Sequence, residues 1–168
     1  MKNQTIVLET ETLLNSISKK GAILLNMFNE EYKKALTNIL ILESLNIPNK
    51  AVLVFSLSRR EEDLIDNLLC TIAGVHPDKK NLKDSDWEKL ADAMNEFRDT
   101  SIYISDECKT LDTIILTLSD FIKSNRAELN FVLIDSLEKI ESDKGFDVIL
   151  EELNTFAQNN NLSLIILK

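Results

Sequence analysis

The chain has 168 residues, 44% hydrophobic and 28% charged, which suits one soluble domain with a core of its own. It carries 19 Lys and Arg against 28 Asp and Glu, a formal net charge of −9. That balance argues against strong direct binding to nucleic acid, because phosphate contacts need basic counter-charge.

Other global features narrow the class further. No apolar run approaches the ~18 residues that suggest a membrane span, and the N-terminus lacks a basic-then-apolar signal pattern. Cys70 and Cys108 show no paired spacing and read as small core fillers in a reducing compartment, so a cytoplasmic protein is expected. Only Gly21, Gly74 and Gly145 occur, well below the roughly 7% of average chains. Asparagine can take over some left-handed turn positions. It cannot replace glycine where a backbone must touch a phosphate.

In chain order, "TIVL" (5–8) is a candidate extra strand near the start. The apolar runs "AILL" (22–25), "AVLVFSL" (51–57), "SIYIS" (101–105), "FVLID" (131–135) and "LSLIIL" (162–167) read as strands. Most are continuous rather than alternating, the pattern of strands buried on both faces. Between them lie helical stripes: Tyr32, Ala35, Leu36, Ile39 and Leu40; then Leu64, Ile65, Leu68, Leu69 and Ile72. Next come Trp87, Leu90, Ala91 and Met94, behind a capping-box pattern Ser85-x-x-Glu88. The spacing of Leu111, Ile114, Ile115, Leu118, Phe121 and Ile122 predicts another helix, and that from Phe146 to Ala157 predicts the last. Lys79, Lys80 and Lys83 form a basic cluster diluted by Asp78, Asp84 and Asp86.

Alternating strands and helices imply βαβ crossovers, hence an α/β fold with a mainly parallel sheet flanked by helices. Ligands of open α/β sheets bind at the carboxyl ends of the strands. Those ends are expected at Asn26–Asn29, Ser56–Arg60, Asp106–Lys109 and Asp135–Glu138.

Several stretches, taken in order, resemble one family. "AVLVFSLSRREEDLIDNLLC", "DSDWEKLADAMNEFRDTSIYISDE", "LNFVLIDSLEKI" and "ILEELNTFAQNNNLSLIIL" are similar to successive core segments of the DnaB-type replicative DNA helicases. "SKKGAILLNMFNEEYKKALTNIL" sits where that family has its P-loop strand and helix. The resemblance implies a three-layer RecA-like core with a five-stranded sheet, a single domain over 1–168 with a lead-in at 1–20 and the core at 21–168.

The resemblance also assigns positions. The Gly-Lys-Ser/Thr of the P-loop falls on Tyr32, Lys33 and Lys34, so the lysine is retained while the glycine and hydroxyl are lost. Lys33 and Lys34 are therefore the vestigial nucleotide-binding candidates, with a helix-surface lysine as the plainer reading of Lys33. Glu30 and Glu31 stand within the loop, where they repel phosphate. The glutamate that aligns the attacking water is replaced by Ser58, which cannot act as that base and reads instead as a helix N-cap. No catalytic residue is assigned. Asp135 holds the Walker B position, the metal candidate, with a structural or vestigial role as the plainer reading, in a stretch the family continues as tyrosine-leucine-glutamine and this chain as "SLE". Asp106 and Glu107 are candidates for an acidic cluster with Asp135.

Among the smaller signals, Trp87 reads as core or interface packing, Arg59 and Arg60 as a solvated helix start, and the only histidine, His76, as a surface loop residue. On the resemblance, the chain stops near the family's phosphate-sensing glutamine, with DNA-binding loops, arginine finger and primase-binding domain falling outside it.

Three functional readings stay open. The first is a catalytically degenerate DnaB-like domain serving as a protein-interaction or regulatory module in DNA replication. It would need no cofactor, and its partners would be a replicative helicase, a loader, another replication protein or a second copy. The second is an ATPase of the same family that binds ATP and Mg weakly through a non-standard P-loop. The third is a truncated helicase remnant of a mobile element. The residues weigh against enzyme activity without deciding it.

Overall fold

The structure, a computed structural model, describes residues 20–27, 29–45, 50–76, 82–124 and 128–168. The strand expected over 5–8, most of the lead-in, and Lys79 and Lys80 lie outside the described residues. The elements run β1 (Gly21–Leu25), α1 (Glu30–Ser44), β2 (Lys50–Phe55), α2 (Glu61–Ala73), α3 (Asp84–Arg98), β3 (Ile102–Ser105), α4 (Leu111–Ser124), β4 (Glu128–Ile134), a 3₁₀ turn (Leu137–Lys139), α5 (Phe146–Asn159) and β5 (Ser163–Leu167). The five strands form one sheet in the order β1-β5-β4-β2-β3, and every pairing is parallel.

Central strands β2, β4 and β5 are covered on both faces, which is why their sequences are apolar at nearly every position. Side chains alternate across the pleat. Leu53 and Phe55 join Val132, Ile134, Leu164 and Ile166 under α4 and α5. Val52 and Val54 join Phe131, Leu133, Ile165 and Leu167 under α1 and α2. The register slips once, where Ala51 pairs with Leu129 and Val52 with Phe131, so Asn130 is the extra residue of a bulge in β4. Beyond the bulge, strand β4 reaches back to Glu128, three residues earlier than the apolar run alone indicates.

Two helices turn different faces inward from those the sequence indicates. The buried stripe of α1 is Lys33, Thr37, Leu40, Ile41 and Ser44, while Tyr32 is 54% exposed. In α3 the buried or half-buried face is Asp86, Leu90, Ala93 and Phe97. Trp87 and Met94 are 57% and 63% exposed, so Trp87 is not core packing. The reason is that α3 packs chiefly on α2 rather than on the sheet, and a helix-on-helix contact accepts the small Ala93 at its centre. Only half of a capping box forms, and two residues earlier than expected: Asp86 Oδ2 accepts the Lys83 backbone N–H at 3.0 Å, and α3 begins at Asp84.

Two of the three glycines, Gly21 and Gly74, stand where the backbone takes a positive φ. Gly74 ends α2 at φ +63°, with its N–H and that of Val75 returned to the last helical carbonyls. Asn161 takes a left-handed position at φ +54° before β5. Gly21 enters β1 at φ +118°, and a Cβ there would lie 3.0 Å from Asn154 Oδ1, the atom that accepts the Ala22 N–H at 2.9 Å. Gly21→Ala is therefore expected to cost about 1–3 kcal/mol through backbone strain and the displaced Asn154, read as a lower urea midpoint at unchanged m-value.

Candidate functional site

The connection after β2 passes to α2 on one face of the sheet, and that after β4 passes to α5 on the other. Adjacent strands whose chains leave to opposite faces open a crevice at their carboxyl ends. Residues 56–60 and 135–138 face each other there.

Asp135 is 2% exposed. Its Oδ1 accepts the backbone N–H of Leu57 at 2.7 Å and of Ser58 at 3.2 Å, and its Oδ2 accepts the Ser58 hydroxyl at 2.6 Å. A buried carboxylate is tolerable only with such donors. Ser56 Oγ lies 3.5 Å from Oδ2 but donates its single proton to the Arg59 carbonyl at 2.8 Å. The carboxylate thus pins the turn after β2 onto the end of β4.

This geometry corrects the helix-cap reading of Ser58. Helix α2 starts only at Glu61, and the cap position, Arg60, makes no side-chain cap bond. Asp106, at the end of β3, accepts the Glu61 N–H at 2.8 Å instead. Spent on a helix N-terminus, Asp106 forms no cluster with Glu107 and Asp135. Among the described residues no group of three or more His, Cys, Asp or Glu could hold a metal ion. Arg59 is not solvated either: it is half-buried, and its Nη2 donates to Asn38 Oδ1 at 2.9 Å. Burial pushes its guanidinium below the ordinary value, with the charge of Asp135 working the other way. Arg60 is the exposed member of the pair, bound to Asp63.

Lys33 approaches from α1. Asn29 caps this helix by accepting the Glu31 N–H at 2.7 Å. The fourth helical residue, Lys33, heads the buried stripe and is 3% exposed, so it is not a helix-surface lysine. Its alkyl stem packs inward while its Nζ reaches Glu138 Oε1 at 2.6 Å and Glu30 Oε1 at 3.0 Å. Burial alone would push the ammonium down, but hydrogen bonds and charge from Glu138 and Glu30 outweigh that and hold it above 10.5. Lys34 points outward, with its Nζ 3.4 Å from Glu31 Oε1, a surface pair worth at most ~1 kcal/mol.

Glu138 is the site residue that sequence reasoning missed. It lies on the 3₁₀ turn behind Asp135 and binds a residue 105 positions earlier in the chain. The available signal was its place in "SLE", where the resembled family carries an uncharged glutamine.

The sheet order, with one helical layer on each face, defines a RecA-like α/β domain. The profile of the DnaB-like helicase C terminal domain matches residues 20–168, and the chain belongs to that family. Solved structures agree on the fold. One, described as an ATPase domain, superposes with a TM-score of 0.74 at 17% identity, covering 89% of this chain and 57% of that one. A DnaB-like replicative helicase, described with its interactions with primase, gives 0.72 at 18% identity, covering 88% and 38%. A KaiC-like protein from the hyperthermophilic archaeon Pyrococcus horikoshii OT3 gives 0.55 at 18% identity, covering 89% and 60%. The chain thus spans less than two thirds of each of these proteins. No curated protein sequence matches it. Among the described residues no helix is long and apolar enough to cross a membrane.

Removing the carboxylate with Asp135→Ala strands two backbone N–H groups and a hydroxyl, at an expected cost of about 3 kcal/mol, whereas Ser58→Ala costs about 1–2 kcal/mol. Urea titration of both variants measures the difference. The folded-state pKa of Lys33 is raised, so its pair is fully formed below 10.5, the ordinary lysine value. Its contribution is lost as pH climbs through the still higher folded value. Stability of the wild type relative to Lys33→Met is therefore expected to be flat at neutral pH and to shrink above 10.5, read from urea midpoints along a pH series.

Proposed function

We propose that this chain is a catalytically degenerate DnaB-like domain that works in the cytoplasm as a protein-interaction or regulatory module of DNA replication. Its partners on this reading are a replicative helicase, a helicase loader or another replication protein, with self-association as a further mode. The observation that carries the proposal is the engagement of Lys33 by Glu30 and Glu138. The lysine at the phosphate position already faces two carboxylates.

Other features support the same reading. Ser58 supplies a hydroxyl donor to Asp135 where an attacking water would need a carboxylate base. Asp135 has both oxygens occupied by the turn after β2. Neither residue set fits Mg-ATP, and no hydrolytic step is assigned. The exposed apolar side chains Trp87 and Met94 lie seven residues apart on α3 and offer surface suited to protein contact. A relative in this family has been described together with primase, which is consistent with a replication partner.

A thermal melt separates this reading from weak ATP binding. A ligand at 100 times its dissociation constant adds about 2.7 kcal/mol to stability. Millimolar Mg-ATP is expected to leave the melting temperature of this chain unchanged, and phosphate release is expected to stay at the no-protein background. A saturable rise that disappears in Lys33→Met supports the ATP-binding alternative instead. The interaction role is checked by immobilising the chain in a cell extract: replication proteins should be retained, and their absence from the eluate overturns it.

A further inference from the structure

We propose that Glu138, with Glu30, is a built-in latch that engages the Lys33 ammonium in place of a phosphate group. The inference rests on the reading of this corner as a former nucleotide site and adds what keeps it closed.

The latch has a fixed arm and a local arm. Glu138 belongs to the 3₁₀ turn Leu137–Lys139, whose approaches are both anchored. Asp135 is tied to the 57–58 backbone, Leu137 is in the core, and Ile140 is buried behind it. Its carboxylate is therefore presented by a held turn and needs no reordering to meet Lys33. Glu30 comes from the first turn of α1 itself, one helical turn before the lysine.

Charge decides the outcome at this corner. One ammonium faces two carboxylates, so the group that would attract a phosphate lies in a field that repels it. The stem of Lys33 is part of the buried stripe of α1, so its ammonium meets the two carboxylates rather than solvent. Glu138 is more accessible, with a side chain 37% exposed against 4% for Lys33. Lys33 is thus the enclosed partner and Glu138 the one open to solvent. The same ion pair joins α1 to the turn after β4, so the chain needs no bound nucleotide to connect them.

Inorganic tripolyphosphate without metal is the probe. Binding is read by calorimetry on wild type, on Glu30→Gln/Glu138→Gln, and on that double variant carrying Lys33→Met. Wild type is expected to show no saturable binding at millimolar probe. The double variant should bind at least tenfold more tightly than wild type, and adding Lys33→Met should abolish the gain. A folded double variant that binds no better than wild type overturns the latch while leaving the functional reading intact. Wild type that binds through Lys33 overturns both. Differential acylation of the unmodified protein gives a second readout, independent of whether the variants fold. Lys33 should react at least tenfold more slowly than Lys34, and equal rates overturn the latch.

Discussion

A strand enclosed by helices on both faces has no position at which a polar side chain can reach water. Strand β5, β2 after Lys50 and the Phe131–Ile134 part of β4 live under that constraint, and much else follows from it. Their two sets of side chains form two separate cores, one under α4 and α5 and one under α1 and α2. Polar groups are pushed to the strand ends, where the chain leaves toward opposite faces. Asp135 stands at such an end, and its burial compels the 57–58 turn to supply its hydrogen bonds. Position of the site, and the shape of the turn beside it, are thus consequences of how the sheet is covered.

Three of the charges at this corner are matched within the chain. Asp106 is matched to the N-terminus of α2, Asp135 to neutral donors, and Lys33 to two glutamates. Each of these groups, placed where a ligand would be met, has a partner within the chain. A buried ion pair is a weak source of stability, since desolvation offsets much of its attraction, but it penalises the loss of either partner. That asymmetry suits a role in holding one geometry.

Strands and helices were legible in the sequence because continuous apolar runs and 3.6-residue stripes report burial directly. The family resemblance was legible in the order of those segments, and the domain match from residue 20 to 168 agrees with it. The failures have physical causes. Lys33 and Thr37 head the inner face of α1, yet periodicity weighs a lysine as polar and cannot see that its stem is apolar and its head paired. In α3 the largest apolar residues face outward, because contact with α2 is made around Ala93. Ser58 lay three residues before α2, close enough to suggest a cap, but its hydroxyl turned across to β4. Glu138 could be found only by asking which buried cation its extra charge answered, a question about residues 105 positions apart.

The outward placement of Trp87 has an optical consequence. It is the only tryptophan in the chain and is 57% exposed in the folded state. An indole already in contact with water changes its surroundings little when the chain unfolds, so its emission is a poor monitor of the cores beneath the sheet. The same indole would be shielded by any molecule that settles on α3. The fold therefore carries its natural fluorophore as a label of that surface rather than of its own integrity.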